Sequence, residues 1–277
     1  MKKNGKRTTP ASCCRMIAFA AVLAGAAFGV AVSASGGRIP IYQAGTAISQ
    51  PGSYYLTQDL DGSSYGGDVI SVQADGVTLD LNGHTVTASA THNGISIAGV
   101  TSIRVTNGRF AGGQDGVYMS APSGTGTIRL DHLDFSGQTN YAIYLAGSGS
   151  NSAWVDQCSI DCQSLGFSNY HAGIYLTKLE GCRIVRDVLT SVDSYGIWLS
   201  SSVTGAIVRR NTLTGNYYNN SVLIQVDGNG NTIDWNMITN APTELGISGA
   251  GNVYAYNHSY SGSYSIVSGN TDGGGNH

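Results

Sequence analysis

The chain has 277 residues, of which 39 are glycine, about twice the usual ~7%. Charged residues make up only 11%, which argues against a disordered polyampholyte or a coiled coil, and the scattered glycines lack the strict triplet of collagen. A hydrophobic fraction of 41% is ordinary for a folded core.

Residues 1–34 read as a separate segment. Lys2, Lys3, Lys6, Arg7 and Arg15 precede an uncharged run of 17 residues from Met16 to Val32, closed by Ser33-Ala34. Basic, apolar and small residues in that order are expected of a secretory signal cleaved after Ala34. The run falls short of the ~20 residues of a membrane span, and no second long apolar stretch follows. The mature chain is therefore expected to lack a membrane span and to be secreted or periplasmic, with an uncleaved anchor as the alternative. Beyond residue 34, nine basic residues face seventeen acidic ones, a net charge of −8, and Lys178 is the sole lysine. Nucleic acid is not an expected partner for such a surface, because phosphate binding rests on clustered Lys and Arg.

From residue 94 a Gly or Ala followed by an apolar, outward, apolar triplet recurs. It reads Gly94-Ile95-Ser96-Ile97, Gly116-Val117-Tyr118-Met119, Ala142-Ile143-Tyr144-Leu145, Gly173-Ile174-Tyr175-Leu176 and Gly196-Ile197-Trp198-Leu199. Weaker copies begin at Ser221, Gly246 and Ser265. The starts are separated by 22, 26, 31, 23, 25, 25 and 19 residues, the signature of stacked units that cannot bury their apolar faces alone. Each unit carries two more short segments of period 2, such as Ile103-Arg104-Val105 with Phe110 and Ile128-Arg129-Leu130 with Phe135. Later units place Asp187, Asn211 or Asn236 two residues before an apolar one. This periodicity is that of strands, and the turns are too short for crossover helices. The expectation is an all-β, single-stranded parallel β-helix over residues 35–268, with about eight coils, three short strands per coil and a rod on the order of 40 Å.

Pro51-Gly52-Ser53-Tyr54-Tyr55-Leu56, followed by Gly76-Val77-Thr78-Leu79-Asp80-Leu81-Asn82-Gly83-His84, resembles the first coil of right-handed parallel β-helix repeat proteins. These belong to the pectate-lyase-like superfamily, which includes periplasmic β-helix proteins of copper-enzyme maturation. The resemblance spans roughly residues 40 to 268 and implies a right-handed winding, in keeping with the usual hand of parallel crossovers. It also implies that a substrate groove runs over the first strand of each coil and the turn before it. Function does not follow from this fold, which hosts lyases, hydrolases, epimerases, adhesins and proteins without activity.

Stacking turns equivalent positions into files. The outward file of the triplets is Ser96, Tyr118, Tyr144, Tyr175, Trp198 and Leu223, so four consecutive aromatics are expected to form a strip. Such a strip suits the apolar faces of sugar rings, although rings stacked on one another also stiffen a sheet. His92, Asp115, Asn140, His171, Asp193, Asn220 and Glu244 fall one to three residues before their strands, beside the strip, where Asn and Asp are also ordinary turn residues. Tyr118, Tyr144, Tyr175, Trp198, Asp115 and Asn140 are the candidate substrate-binding residues for a polysaccharide.

Spacing separates the reaction types. Asp115 and Asp193 lie three coils, about 14 Å, apart, beyond the ~5 to 9.5 Å of a hydrolytic pair. Asp193 and Glu244, two coils and about 10 Å apart, are borderline. Gln114-Asp115-Gly116 only faintly echoes the paired aspartates of polygalacturonase-like hydrolases, and no carboxylate cluster of the kind calcium needs is evident. An elimination needs a base, an acid and a cation against the uronate. His171 as base, with Tyr195 or Tyr170 as acid and Asp193 beside them, forms the candidate catalytic set. Arg183 and Arg186, or Arg209 and Arg210, are the available cations, on a strand expected to face another side. Cofactor and oligomeric state are not legible. The two functional expectations are an exported polysaccharide-binding protein that cleaves by elimination, and a non-catalytic surface scaffold or maturation accessory.

The longest unit carries extra residues Gln163 to Tyr170, where an insertion would rise beside the middle of the strip. Cys158, Cys162 and Cys182 read as buried thiols filling the core, with a Cys158–Cys162 pair across a bend and Cys162–Cys182 pairing across coils as alternatives. Residues 269–277, Gly-rich and polar, are expected to be disordered, leaving the last coil with an edge open to another chain.

Overall fold

Three-residue apolar strands bury nothing by themselves, so each depends on the coil above and the coil below. The computed structural model describes residues 37–120, 124–148, 151–164, 171–192, 194–216 and 221–277. These residues wind into an all-β parallel solenoid of about eight turns, and a 3-10 turn at Cys162–Ser164 is the one helical element among them. The proposed leader 1–34, Tyr170, Asp193, Asn220 and most of the 163–170 insertion lie outside the described residues.

One sheet has ten strands in chain order. Its last eight are the eight triplets, from Ile95–Ala98 to Ser263–Ile266, and Thr46–Ile48 and Ile70–Val72 precede them. An eighteen-stranded sheet takes the remaining strands of every coil. In two coils these fuse into the long strands Ile103–Gly112 and Gly126–Ser136.

Parallel register aligns Ile95, Val117, Ile143, Ile174, Ile197, Ile224 and Leu245 in one column, all fully buried. Each such side chain contributes about 1.5–3 kcal/mol of burial. Phe110 and Phe135 stack beside them with centroids 4.9 Å apart. The glycine before each triplet is a packing requirement. A Cβ on Gly116 would stand 2.5 Å from Phe135 Cδ1 and 2.6 Å from the Ala142 carbonyl oxygen.

Two ladders of buried asparagine close the corners. Asn211, Asn236, Asn257 and Asn276 each accept the backbone N–H of the rung before them, at 2.9 to 3.1 Å. Each also donates its Nδ2 to a backbone carbonyl at 2.8 to 3.3 Å. A second ladder runs through Asn231, Asn252 and Asn270. Buried backbone groups must be paired, and the side-chain amides supply partners where the corner turns away from the strand ladder.

Two expectations change here. The tail is ordered: Thr271–Asp272 pairs with Val253 and Tyr254, while Asn270 and Asn276 are the last rungs of the two ladders, so side-chain amides hold a Gly-rich segment that composition alone suggests is loose. Leu223 is buried and does not extend the outward file. Register places Gln225 opposite Trp198, because Leu223 occupies the position that Gly196 fills one coil earlier. Cys158, Cys162 and Cys182 are buried and form no disulfide. Burial pushes the Cys158 thiol well above its ordinary value and that of Cys182 up to about 12.

Candidate functional site

The ten-stranded sheet brings Tyr118, Tyr144, Tyr175 and Trp198 into direct register over four consecutive coils. Their ring centroids are 5.1, 5.4 and 4.7 Å apart along the file. Tyr118 and Tyr144 are close to parallel, at 17°. From there the rings splay, to 44° between Tyr144 and Tyr175 and 51° between Tyr175 and Trp198. The strip is therefore not flat: its rings are closest to parallel at Tyr118–Tyr144 and tilted toward Trp198. All four are half-buried.

Tyr141 and Tyr195 widen the strip to two rings in two of its four coils. Tyr141 stacks on Tyr175 at 5.6 Å and leans on Tyr144 at 5.1 Å, while Tyr195 lies 4.7 Å from Trp198. The sequence reading missed Tyr141, although Tyr141-Ala142-Ile143-Tyr144-Leu145 and Tyr195-Gly196-Ile197-Trp198-Leu199 repeat one pattern. His171 meets Tyr141 edge-on at 6.3 Å, and its carbonyl accepts the Tyr195 N–H at 3.2 Å. Thus His171 and Tyr195 are neighbours across adjacent coils.

Asp115 and Asn140 are brought together, with Asp115 inside the wall and Asn140 half-buried. Asp115 is 2% exposed, accepts the Tyr141 N–H at 3.0 Å and is hydrogen-bonded by the Asn140 side chain. Burial pushes its carboxyl up to about 6 against these two bonds, with Asp68 adding repulsion. Burial and neighbouring phenols raise Tyr141 and Tyr144 in turn. These phenols stay protonated near neutrality and act as hydrogen-bond donors. The Trp198 indole N–H donates to Asp227 at 2.8 Å. Glu244 is not a surface carboxylate: it is fully buried, with the Ser261 hydroxyl on one oxygen at 3.3 Å. The borderline pair with Asp193 is lost with it.

The four arginines considered as uronate partners belong to the other sheet and its corners. Arg183 and Arg209 are in strands Arg183–Val185 and Ile207–Arg209, Arg186 pairs with Asp156 and Arg209 with Asp234. Among the described residues no group of His, Cys, Asp and Glu is arranged to hold a metal.

A second aromatic surface lies on the eighteen-stranded side. Trp235 and Tyr256, 55% and 48% exposed, stack at 4.6 Å and 15° beside a cleft of about 570 Å³ shared with His258 and Tyr260. Both have a positive φ, 57° and 54°, in a corner file otherwise held by Asn82, Asn107, His132, Gln157, Arg186 and Arg210. The repeated aromatic-Asn dipeptide, Trp235-Asn236 and Tyr256-Asn257, was its signal in the sequence.

A parallel solenoid with an outward aromatic file defines the protein as a β-helix repeat protein. The family model described as "Right handed beta helix region" matches residues 62–213, more than half of the chain, and the chain belongs to that family. No curated protein and no solved structure matches it.

Proposed function

We propose that this is an exported β-helix that binds a polysaccharide along the strip from Tyr118 to Trp198. The observation that carries the reading is six half-buried rings on four successive coils of one sheet, tilted against one another by 44° and 51° along the file from Tyr144 to Trp198. Tilted aromatic faces bordered by phenol hydroxyls match the apolar faces and equatorial hydroxyls of sugar rings. Binding is favoured over elimination. The Tyr141 phenol beside His171 is raised rather than lowered, and the arginines that would neutralise a uronate at the reacting carbon are on the other sheet. The exported location rests on the order of residues in 1–34 and is part of the same proposal.

The test is a panel of neutral and acidic polysaccharides, read by retention in affinity gels and by absorbance of unsaturated product. Retention that survives high salt, with no rise in absorbance, is expected. A rise in absorbance would restore the lyase reading, and no retention on any glycan would leave the strip as a structural ladder.

A further inference from the structure

We propose that the outward file Arg129, Trp154 and Arg183 on the eighteen-stranded sheet binds the oxyanions of an acidic glycan, carboxylate or sulfate. Register sets these three residues on successive coils, with the Asp131-paired Arg104 one coil before them. The Arg129 guanidinium lies 4.1 Å from the centre of the Trp154 ring and that of Arg183 lies 5.4 Å from it. Cation–π contact of this kind holds a guanidinium in place while leaving its N–H edge free to bond.

The charge balance singles these arginines out. Arg38, Arg104, Arg109, Arg186 and Arg209 are each closed by an aspartate. Arg129, Arg183 and Arg210 are exposed and have no ion pair among the described residues, and of these only Arg129 and Arg183 lie on one aromatic ring. The nearest carboxylates are already engaged. Asp131 accepts both arms of Arg104 at 2.8 Å together with the Thr106 hydroxyl and His132, and Asp156 is held by Arg186. A chain of net charge −8 beyond residue 34 thus carries two uncompensated cations on one indole.

The surroundings choose the ligand. A groove of about 530 Å³ runs past Thr78, Ser102, Arg104, Thr127, Arg129 and Trp154, so hydroxyls border the cations and no carboxylate lines it. Arg129 and Arg183 are two coils, about 10 Å, apart along a straight file, which fits a linear chain with regularly repeated charges and hydroxyl groups between them. Arginine forks match carboxylate and sulfate geometry.

The site is independent of the aromatic strip, and salt separates the two, since exposed charge contacts are screened and ring contacts are not. The experiment is affinity electrophoresis of the full chain in gels containing alginate, dextran sulfate, neutral dextran or poly-glutamate, at low salt and about 0.3 M NaCl. Wild type should be retained by alginate, dextran sulfate or both at low salt, and the two gels tell carboxylate from sulfate. The double variant Arg129→Gln/Arg183→Gln should lose at least about tenfold of that retention, and Arg129→Lys, which keeps charge but not the fork, should lose an intermediate amount. Tyr175→Ala should leave the salt-sensitive retention intact. Unchanged retention of the double variant would overturn the assignment, as would equal retention by poly-glutamate, which would mark a peptide-type anion site instead. Far-UV circular dichroism of each variant confirms that the solenoid is wound.

Discussion

Asp187 accepts the Cys158 backbone N–H through Oδ1 at 2.7 Å, in the rung position that the next four coils fill with asparagine. Asn211, Asn236, Asn257 and Asn276 use both ends of their amides. Asp187 has the acceptor, but its second oxygen is buried without a partner. Burial pushes its carboxyl up to about 8, against the Cys158 bond and with repulsion from Asp156. A protonated Asp187 has an O–H donor where the asparagines have their amide N–H, so the neutral acid resembles an asparagine rung more closely than the carboxylate does.

That assignment dictates the direction of a pH effect. The folded-state pKa lies above the unfolded value of about 3.9, so the native state holds a proton that the unfolded chain releases. The stabilisation is whole below about pH 4 and fades as pH rises toward about 8. Asp115, raised to about 6, adds a fall of the same sign between about pH 4 and 6. Urea unfolding from pH 4 to 9 should show Asp187→Asn flattening the curve and exceeding wild type at pH 8. A slope identical to wild type would mean that Asp187 is ionised in the fold.

Breaking a rung should be costly. Asn236 accepts both the N–H and the Nδ2 of Asn211 at 3.0 Å and donates to the Val208 carbonyl at 2.9 Å. Asn236→Leu strands these groups in the core, at about 1–3 kcal/mol for each one left unsatisfied. Denaturant midpoints should fall accordingly, whereas a change below about 0.5 kcal/mol would show that water or a shifted backbone replaces the rung.

The glycine that opens each triplet gives a steric prediction. Gly116→Ala drives a methyl into Phe135 and the Ala142 carbonyl and should destabilise by about 1–3 kcal/mol. Gly66, exposed and with nothing near its virtual Cβ, is the control: Gly66→Ala should be neutral within about 0.5 kcal/mol.

Asp227 orients the end of the strip. It takes the Trp198 indole N–H at 2.8 Å and the Gln225 amide at 2.5 Å. Asp227→Ala should release the ring, shift tryptophan emission to the red and lower glycan retention about twofold to fivefold, with unfolding unchanged within about 1 kcal/mol. An unaltered spectrum and retention would show that the bond does not position the indole.

What the sequence made legible was the winding, because a triplet with a glycine before it and a 24-residue recurrence leaves few other ways to bury Ile95, Val117 and Ile143. Register was legible for the five triplets from Gly94 to Gly196, where Gly or Ala stands before the strand. At Ser221-Val222-Leu223-Ile224 the anchor is gone, and the outward file slips from Leu223 to Gln225. Glu244 reads as a turn carboxylate for the same reason, since it follows Leu223 into the inward file. The ordered tail was hidden by Gly273-Gly274-Gly275, although Asn257 and Asn276 already stood 19 residues apart. The Arg129–Trp154–Arg183 stack could not be seen as a unit, because its members are 25 and 29 residues apart in the chain and only the stacking of coils makes them neighbours.

The account turns on whether sugar lies against the aromatic file. The most direct measurement is retention of the Tyr175→Ala/Trp198→Ala double variant at high salt, in a gel of whichever polysaccharide holds the wild type best. Removing both rings should reduce retention at least about tenfold while the circular dichroism stays that of a β-solenoid. Retention equal to wild type, with the fold intact, would contradict the account.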